Sequence, residues 1–132
     1  MLSLTTLPIE QLGETMVLTP SKDLSELDFE QIERDAEHAL RMLDGSRAKN
    51  VVVDFCHTDY YGSTALSFFV KVWKRVREVG GAMAFCNLSE HERAILGITG
   101  LDSLWAICDS REEALQFVAR QPPAATSPSR VE

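Results

Sequence analysis

The stretch VVVDFCHTDYYGSTALSFFVKVWKRV, residues 51–76, contains the change of hydrophobic pattern that decides the fold. It opens within a β-branched run from Asn50 to Phe55, which is typical of a central strand covered on both faces. After a short polar turn, apolar residues recur at three- and four-residue steps from Ser63 to Val79, as in an amphipathic helix. The stretch therefore predicts a strand, a turn and a helix, with Ser63 where the helix begins.

Similar patterns precede this unit. The segments TTLPIEQL and ETMVLTP predict two strands that pair through a turn at Gly13. Between Asp28 and Leu43 the apolar positions again recur at helical spacing, with acidic residues between them. The amino-terminal part therefore predicts a strand hairpin followed by an amphipathic helix.

Further strands and helices follow. The run from Ala82 to Asn87 predicts a strand parallel to the first central one. The S-x-x-E patterns at Ser89 and Ser110 each predict a capped helix start, and SLWAIC between them predicts a last strand. The whole order predicts an α/β sandwich with a mostly parallel sheet of four or five strands and about four helices, mainly on one side.

Length, composition and net charge limit the functions that the chain can have. A chain of 132 residues suits one domain, expected over 1–120, and the Pro- and Ser-rich residues 121–132 are expected to be a disordered tail. The net charge of −7 argues against nucleic acid as a partner. We find no apolar run long enough to span a membrane and no signal-peptide pattern, so the expected location is cytoplasmic, with no membrane partner.

Enzymatic readings find little support in the sequence. Three cysteines follow or end predicted strands, but no C-x-x-C or H-x-x-x-H spacing accompanies them; they are Cys56, Cys86 and Cys108. Buried cysteine is also common in cores. The glycine-rich loops that hold nucleotides are missing as well. We therefore expect no catalytic residues, no metal, no cofactor and no enzymatic activity.

Three segments carry a resemblance to a known family: NVVVDFCHTDYYGSTAL (50–66), GGAMAFCNLSEHERAILGITGLDSLW (80–105) and ICDSREEALQFV (107–118). Together they resemble the STAS domain, named for sulfate transporters and anti-sigma factor antagonists, over about residues 7–118. The resemblance implies a STAS-type sandwich. It also implies a regulatory protein that binds an anti-sigma factor with serine kinase activity, and a phosphatase that reverses phosphorylation.

The family's phosphoacceptor turn reads D-S-[ST]-G-[LV] at the start of the second helix, and the resemblance places its acceptor hydroxyl at Ser63. Thr64 supplies a second hydroxyl and Leu66 matches the last position. Gly62 and Ala65 depart from the family's aspartate and glycine. Two alternatives therefore stand: a phosphorylation switch at Ser63, or a STAS scaffold or subunit of a larger signalling assembly that is not phosphorylated.

The residues around this turn are candidates for the switch loop and the partner surface. Asp54 matches the aspartate that closes the family's preceding strand. Tyr60 and Tyr61 are aromatic residues of the kind favoured at interfaces. An aspartate after a VVVD strand also suits a receiver domain, but ETMVLTPS lacks the acidic pair that holds magnesium there. The simplest role of Ser63 is to cap the helix.

Overall fold

A computed structural model of the chain describes residues 8–20, 29–58 and 63–120. The described part alternates strands and helices in the predicted order, so the predicted fold class is confirmed. The elements are β1 (Ile9–Leu12), β2 (Thr15–Leu18), α1 (Phe29–Gly45), β3 (Asn50–Asp54), α2 (Ser63–Glu78), β4 (Met83–Cys86), α3 (Glu90–Thr99), a 3-10 turn (Leu101–Ser103), β5 (Ala106–Cys108) and α4 (Arg111–Arg120).

The five strands form one sheet in the order β1-β2-β3-β4-β5. β1 runs antiparallel to β2 through the turn at Gly13, whose φ of 63° suits glycine. All other neighbours are parallel. Every residue of β3 is buried, as its continuous apolar run predicts for a strand with neighbours on both sides and cover on both faces.

The two faces of the sheet are covered unequally. On one face Val53 and Phe85 join the larger apolar core, to which α1, α2 and α3 contribute. On the other face Val52 and Ala84 pack with Ala114 of α4. Three helices thus lie on one side and one on the other, which confirms the prediction that the helices cluster mainly on one side.

The core-facing side of α2 differs in part from the one that its sequence predicts. The apolar residues of the helix predict a core-facing stripe of Leu66, Phe69, Val70, Trp73 and Val76, with Phe68, Val72 and Val79 widening the apolar arc beyond it. The buried residues are instead Ala65, Phe68, Phe69, Val72 and Val76. The helix is rotated because the two phenylalanines pack together, with ring centroids 5.3 Å apart, and Phe69 continues the aromatic cluster at 5.2 Å from Phe85. Leu66, Val70 and Trp73 are half-buried at its flanks.

The last strand is shorter than SLWAIC predicts. α3 ends at Thr99 and is capped by Gly100, whose φ is 78°, and the chain then makes the 3-10 turn before β5 begins at Ala106. Trp105, predicted in the strand, is buried outside it and stacks on Phe85 with ring centroids 4.5 Å apart. The turn and the Trp105 contact leave three residues for β5.

Two further predictions concern membrane-spanning helices and the carboxyl-terminal tail. None of the helices described is long and apolar enough to cross a membrane. The expected tail, residues 121–132, lies outside the described residues, so its disorder remains an expectation.

Candidate functional site

Ser63 is the first helical residue of α2, at the end of the segment that leaves β3. Ser63 therefore lies within the first turn of α2, as predicted. Backbone amides of a first turn have no partner within the helix and carry partial positive charge, which favours negatively charged groups at helix starts.

The segment that leads to α2 is fixed at its start by Asp54, the last residue of β3. Only 4% of the Asp54 side chain is exposed. Its Oδ1 accepts hydrogen bonds from the Cys56 amide at 3.0 Å and from Asn87 Nδ2 at 2.9 Å. Its Oδ2 accepts one from Arg111 Nε at 2.8 Å. The carboxylate thus holds the first turn after β3 against groups that follow β4 and begin α4.

The charge state of Asp54 follows from these bonds. Burial alone would raise the pKa of the Asp54 carboxyl. The hydrogen bonds that it accepts, from Asn87 and then from Arg111, outweigh burial and hold this pKa below its ordinary value. The hydrogen bond to Asp54 in turn raises the pKa of Arg111. The pair is therefore ionised at neutral pH.

Arg111 extends this network to the amino-terminal hairpin. Its Nη2 donates to Thr19 Oγ1 at 3.0 Å, just after β2, and its Nη1 lies 3.5 Å from Glu10 Oε1 in β1. Asn87 reaches Asp54 from a left-handed backbone conformation with φ of 60°, which asparagine adopts more readily than most residues. One guanidinium thus joins β1, the end of β2, β3 and α4.

A second tether holds the same segment farther along. Thr58 Oγ1 donates to Glu92 Oε2 at 2.7 Å, and both residues are buried. Glu92 Oε1 accepts from the Ser89 amide at 2.9 Å, and Ser89 Oγ accepts from the Glu92 amide at 3.1 Å, which completes the predicted capping box of α3. The residues that follow β3 are therefore bound, through Thr58, to the start of α3.

The other predicted site residues differ in burial and in position along the chain. Ala65 is fully buried in the core, so its methyl group offers no surface to a partner. Asp54 is buried as well, so both side chains are used inside the fold, and their part in the switch loop and in partner binding stays a prediction. Leu66 is half-buried beside the core. Thr64 is the second helical residue of α2.

Three predicted residues of the switch loop, Tyr60, Tyr61 and Gly62, lie outside the described residues. Their proposed part in partner binding therefore stays a prediction.

The three cysteines of the chain are free, and each has a raised pKa. Burial raises the pKa of Cys86 to about 12. Burial and the neighbouring Asp54 raise that of Cys56, and burial followed by Glu113 raises that of Cys108. Thiols with raised pKa values are poor nucleophiles and metal ligands at neutral pH. In the part of the chain described, no three or more histidine, cysteine or acidic side chains are grouped to hold a metal.

Sequence reasoning missed four residues of this arrangement. Arg111 and Glu92 were recognised only as parts of helix starts, and Asn87 and Thr58 were not singled out. The bonds they make join positions 57 and 34 residues apart for Asp54–Arg111 and Thr58–Glu92. No local pattern signals such pairs, although each partner lies at the end or the start of an element whose position was predicted.

Comparison with known proteins adds independent findings. The family model of the STAS domain matches residues 6–114. BtrV of Bordetella bronchiseptica, named as a candidate anti-sigma factor antagonist, is 36% identical over 85 residues, which are 64% of this chain and 70% of BtrV.

Solved structures share the fold. A candidate anti-sigma factor antagonist from Thermotoga maritima aligns with a TM-score of 0.75 at 22% identity, covering 86% of this chain and 95% of that one. The unphosphorylated form of the anti-sigma factor antagonist SpoIIAA aligns with a TM-score of 0.75 at 17% identity, covering 88% and 98%. Its phosphorylated form, from Bacillus, aligns at 0.63 and 21%, covering 85% and 98%. At these identities the likeness shows the fold alone.

Proposed function

This chain belongs to the STAS domain family, and on that premise we propose that it is an anti-sigma factor antagonist switched by phosphorylation of Ser63. It binds an anti-sigma factor that is also a serine kinase. Phosphorylation by that kinase releases the complex, and a phosphatase restores binding. The protein acts in the cytoplasm by binding its partner rather than by catalysis, and uses neither a cofactor nor a nucleic acid.

The position of Ser63 is the observation that carries this proposal. Ser63 is the first helical residue of α2, and the segment before it is bound to the fold at Cys56 and Thr58. Phosphate would add about −1.5 to −2 charges at the start of a helix, where the fold tolerates them and a docked partner would not. The similarity to BtrV and the existence of SpoIIAA in both phosphorylation states support the same role.

The departure at Ala65 is compatible with a working switch. The methyl group of Ala65 is buried in the core, so the surface that a kinase or partner meets is not altered by it. Alanine is also a better helix former than glycine by about 1 kcal/mol, which favours the start of α2. The departure at Gly62 remains the one to be tested.

The experiment is phosphorylation by the anti-sigma factor kinases of the source cell, with ATP and intact-mass detection. We expect one phosphate on the wild type and on the matched control Thr64→Ala, and none on Ser63→Ala. Because Ser63 lies in the first turn of α2, its replacement by alanine costs no more than a helix cap, about 1 kcal/mol, so Ser63→Ala should remain folded.

Three outcomes would contradict the switch. Phosphorylation of Ser63→Ala would show that the acceptor is another residue. If the wild type binds a kinase but is never phosphorylated, the departures at Gly62 and Ala65 are tested with the double variant Gly62→Asp/Ala65→Gly. Phosphorylation of this variant but not of the wild type would mean that the switch has been lost. An unmodified double variant whose partner binds regardless of ATP would favour the scaffold role.

A further inference from the structure

The charge of α2 is opposite to that of the protein. The whole chain has a net charge of −7. α2 instead has a single acidic residue, at its end, and four cations: Lys71, Lys74, Arg75 and Arg77. The neighbouring α1 exposes mainly acidic side chains, namely Glu30, Glu33, Glu37 and Asp44, against Arg34 and Arg41. The basic surface of α2 therefore lies beside the acidic surface of α1, in a chain that is acidic as a whole.

The cations of α2 continue the helix face on which Ser63 is placed. In an α-helix, positions three and four residues apart share a face. The exposed residues Ser67, Lys71 and Lys74 follow position 63 at such steps. The core lies on the opposite side of the helix, at Ala65 and Val72 among others. Helical spacing therefore places position 63 in line with this exposed face, which becomes basic from Lys71 onward.

Three of these cations are not neutralised within the part of the fold described. Arg75 bridges to Asp44 of α1 at 3.2 Å and to Glu78 at 2.7 Å, so its charge is used internally. No carboxylate among residues 8–20, 29–58 and 63–120 forms an ion pair with the others. We call Lys71, Lys74 and Arg77 the α2 basic strip. Arg77 lies over the half-buried ring of Trp73, 5.0 Å from its centroid, which adds an apolar border.

From these observations we infer that the α2 basic strip receives an acidic segment of the anti-sigma factor partner. This inference rests on the proposed function and adds the chemistry of the contact. An acidic partner is repelled by most of this protein and attracted by one helix, so the charge distribution orients the encounter. The orientation brings the partner over the start of α2, where Ser63 is.

The same arrangement explains how a phosphate would release the partner. At 1.5 Å per residue, Ser67 lies about 6 Å and Lys71 about 12 Å along the helix from position 63. These spacings are comparable to the Debye length of about 8 Å at physiological ionic strength. A phosphate on Ser63 would repel acidic side chains docked at the near end of the strip and reduce its attraction for them.

The test compares two charge-reversal variants of the full chain that have the same net charge. Lys71→Glu/Lys74→Glu alters the strip. Arg47→Glu/Arg120→Glu alters exposed cations elsewhere, at the amino end of β3 and on α4, which packs on the opposite face of the sheet. Dissociation constants are measured for the anti-sigma factor kinase of the source cell that binds the wild type. A 20-base-pair DNA duplex and phosphatidylglycerol vesicles serve as other anionic probes.

We expect the strip variant to bind the kinase roughly tenfold more weakly and the control variant to bind like the wild type. Rising salt should weaken wild-type binding more than that of the strip variant. Equal binding by both variants would overturn the inference while the proposed function stands. Wild-type binding to DNA or vesicles as tight as to the kinase would overturn the choice of a protein partner. Failure of every kinase to bind the wild type would overturn the proposed function and this inference together.

Discussion

At Asp54 one buried carboxylate accepts hydrogen bonds from the segment after β3, from Asn87 and from Arg111. A carboxylate in this position is favourable only while its partners are present, because removal of one leaves charge in a poorly solvated place. Asp54 thus acts as a positioning residue for the turn that follows β3. The resemblance identified Asp54 as a candidate for the switch loop and the partner surface, but it did not predict these internal bonds.

The first prediction concerns the Asp54–Arg111 pair. Arg111→Met keeps much of the side-chain volume but leaves the Asp54 carboxylate with its other donors alone. Since about a third of the Arg111 side chain is exposed, we expect a loss of about 1–3 kcal/mol in the free energy of unfolding by urea. The control Arg93→Met removes the surface bridge to Asp109, at 3.0 Å, and should cost about 0–1 kcal/mol. Equal losses of unfolding free energy in the two variants would mean that the Asp54–Arg111 pair stabilises the fold no more than a surface ion pair does.

The second prediction concerns pH. The folded-state pKa of Asp54 lies below its ordinary value of 3.8, so its ionisation stabilises the fold above that value. This contribution is lost as the pH falls from about 5 through the folded pKa. We therefore expect the free energy of unfolding to fall more steeply with acid in the wild type than in Asp54→Asn. Parallel curves between pH 6 and 3 would contradict a lowered pKa at Asp54.

At the scale of elements, residues 55–58, which follow β3, are held by two bonds: Cys56 donates to Asp54 and Thr58 donates to Glu92. Such anchoring reduces the conformational freedom that a partner contacting these residues would otherwise have to remove on binding. The Thr58–Glu92 bond also links residue 58 to the start of α3. A change at either anchor should therefore alter the mobility of residues 55–58.

The third prediction tests the second anchor. Thr58→Val keeps the shape but removes the hydroxyl that donates to Glu92, so amides of residues 55–58 should exchange hydrogen faster while those of β3 stay protected. The control Thr99→Val removes a hydroxyl bonded locally to Ile95 O at 2.8 Å and should leave residues 55–58 unchanged. Unchanged exchange in Thr58→Val would show that the bond does not restrain the segment.

Element order was predictable because each strand and helix has its own hydrophobic period and start signals. The capping box at Ser89 is an example, formed as its S-x-x-E pattern predicts. The rotation of α2 was not predictable. Its sequence offers apolar residues over a wide arc, and the choice of Phe68 over Trp73 for the core depends on the aromatic neighbours Phe69 and Phe85 in three dimensions.

At the scale of the whole molecule, the parallel sheet brings distant residues to one edge. Asp54 ends β3, Asn87 follows β4 and Arg111 begins α4 after β5, so their meeting at the carboxyl ends of neighbouring strands follows from topology. The sequence predicted the strands and therefore this edge. It did not predict which side chains there would bond, because that depends on packing between residues 33 and 57 positions apart.

The proposed switch depends on one binding equilibrium, between the anti-sigma factor kinase and the chain with or without phosphate on Ser63. It is measured most directly by titration calorimetry with phosphoserine incorporated at position 63. Phosphoserine at Ser46, an exposed residue between α1 and β3, is the matched control. We predict tight binding of the unmodified and Ser46-modified chains, and roughly hundredfold weaker binding of the Ser63-modified chain, because a phosphate would face a docked acidic partner. Equal affinity of all three chains for the kinase would contradict the switch.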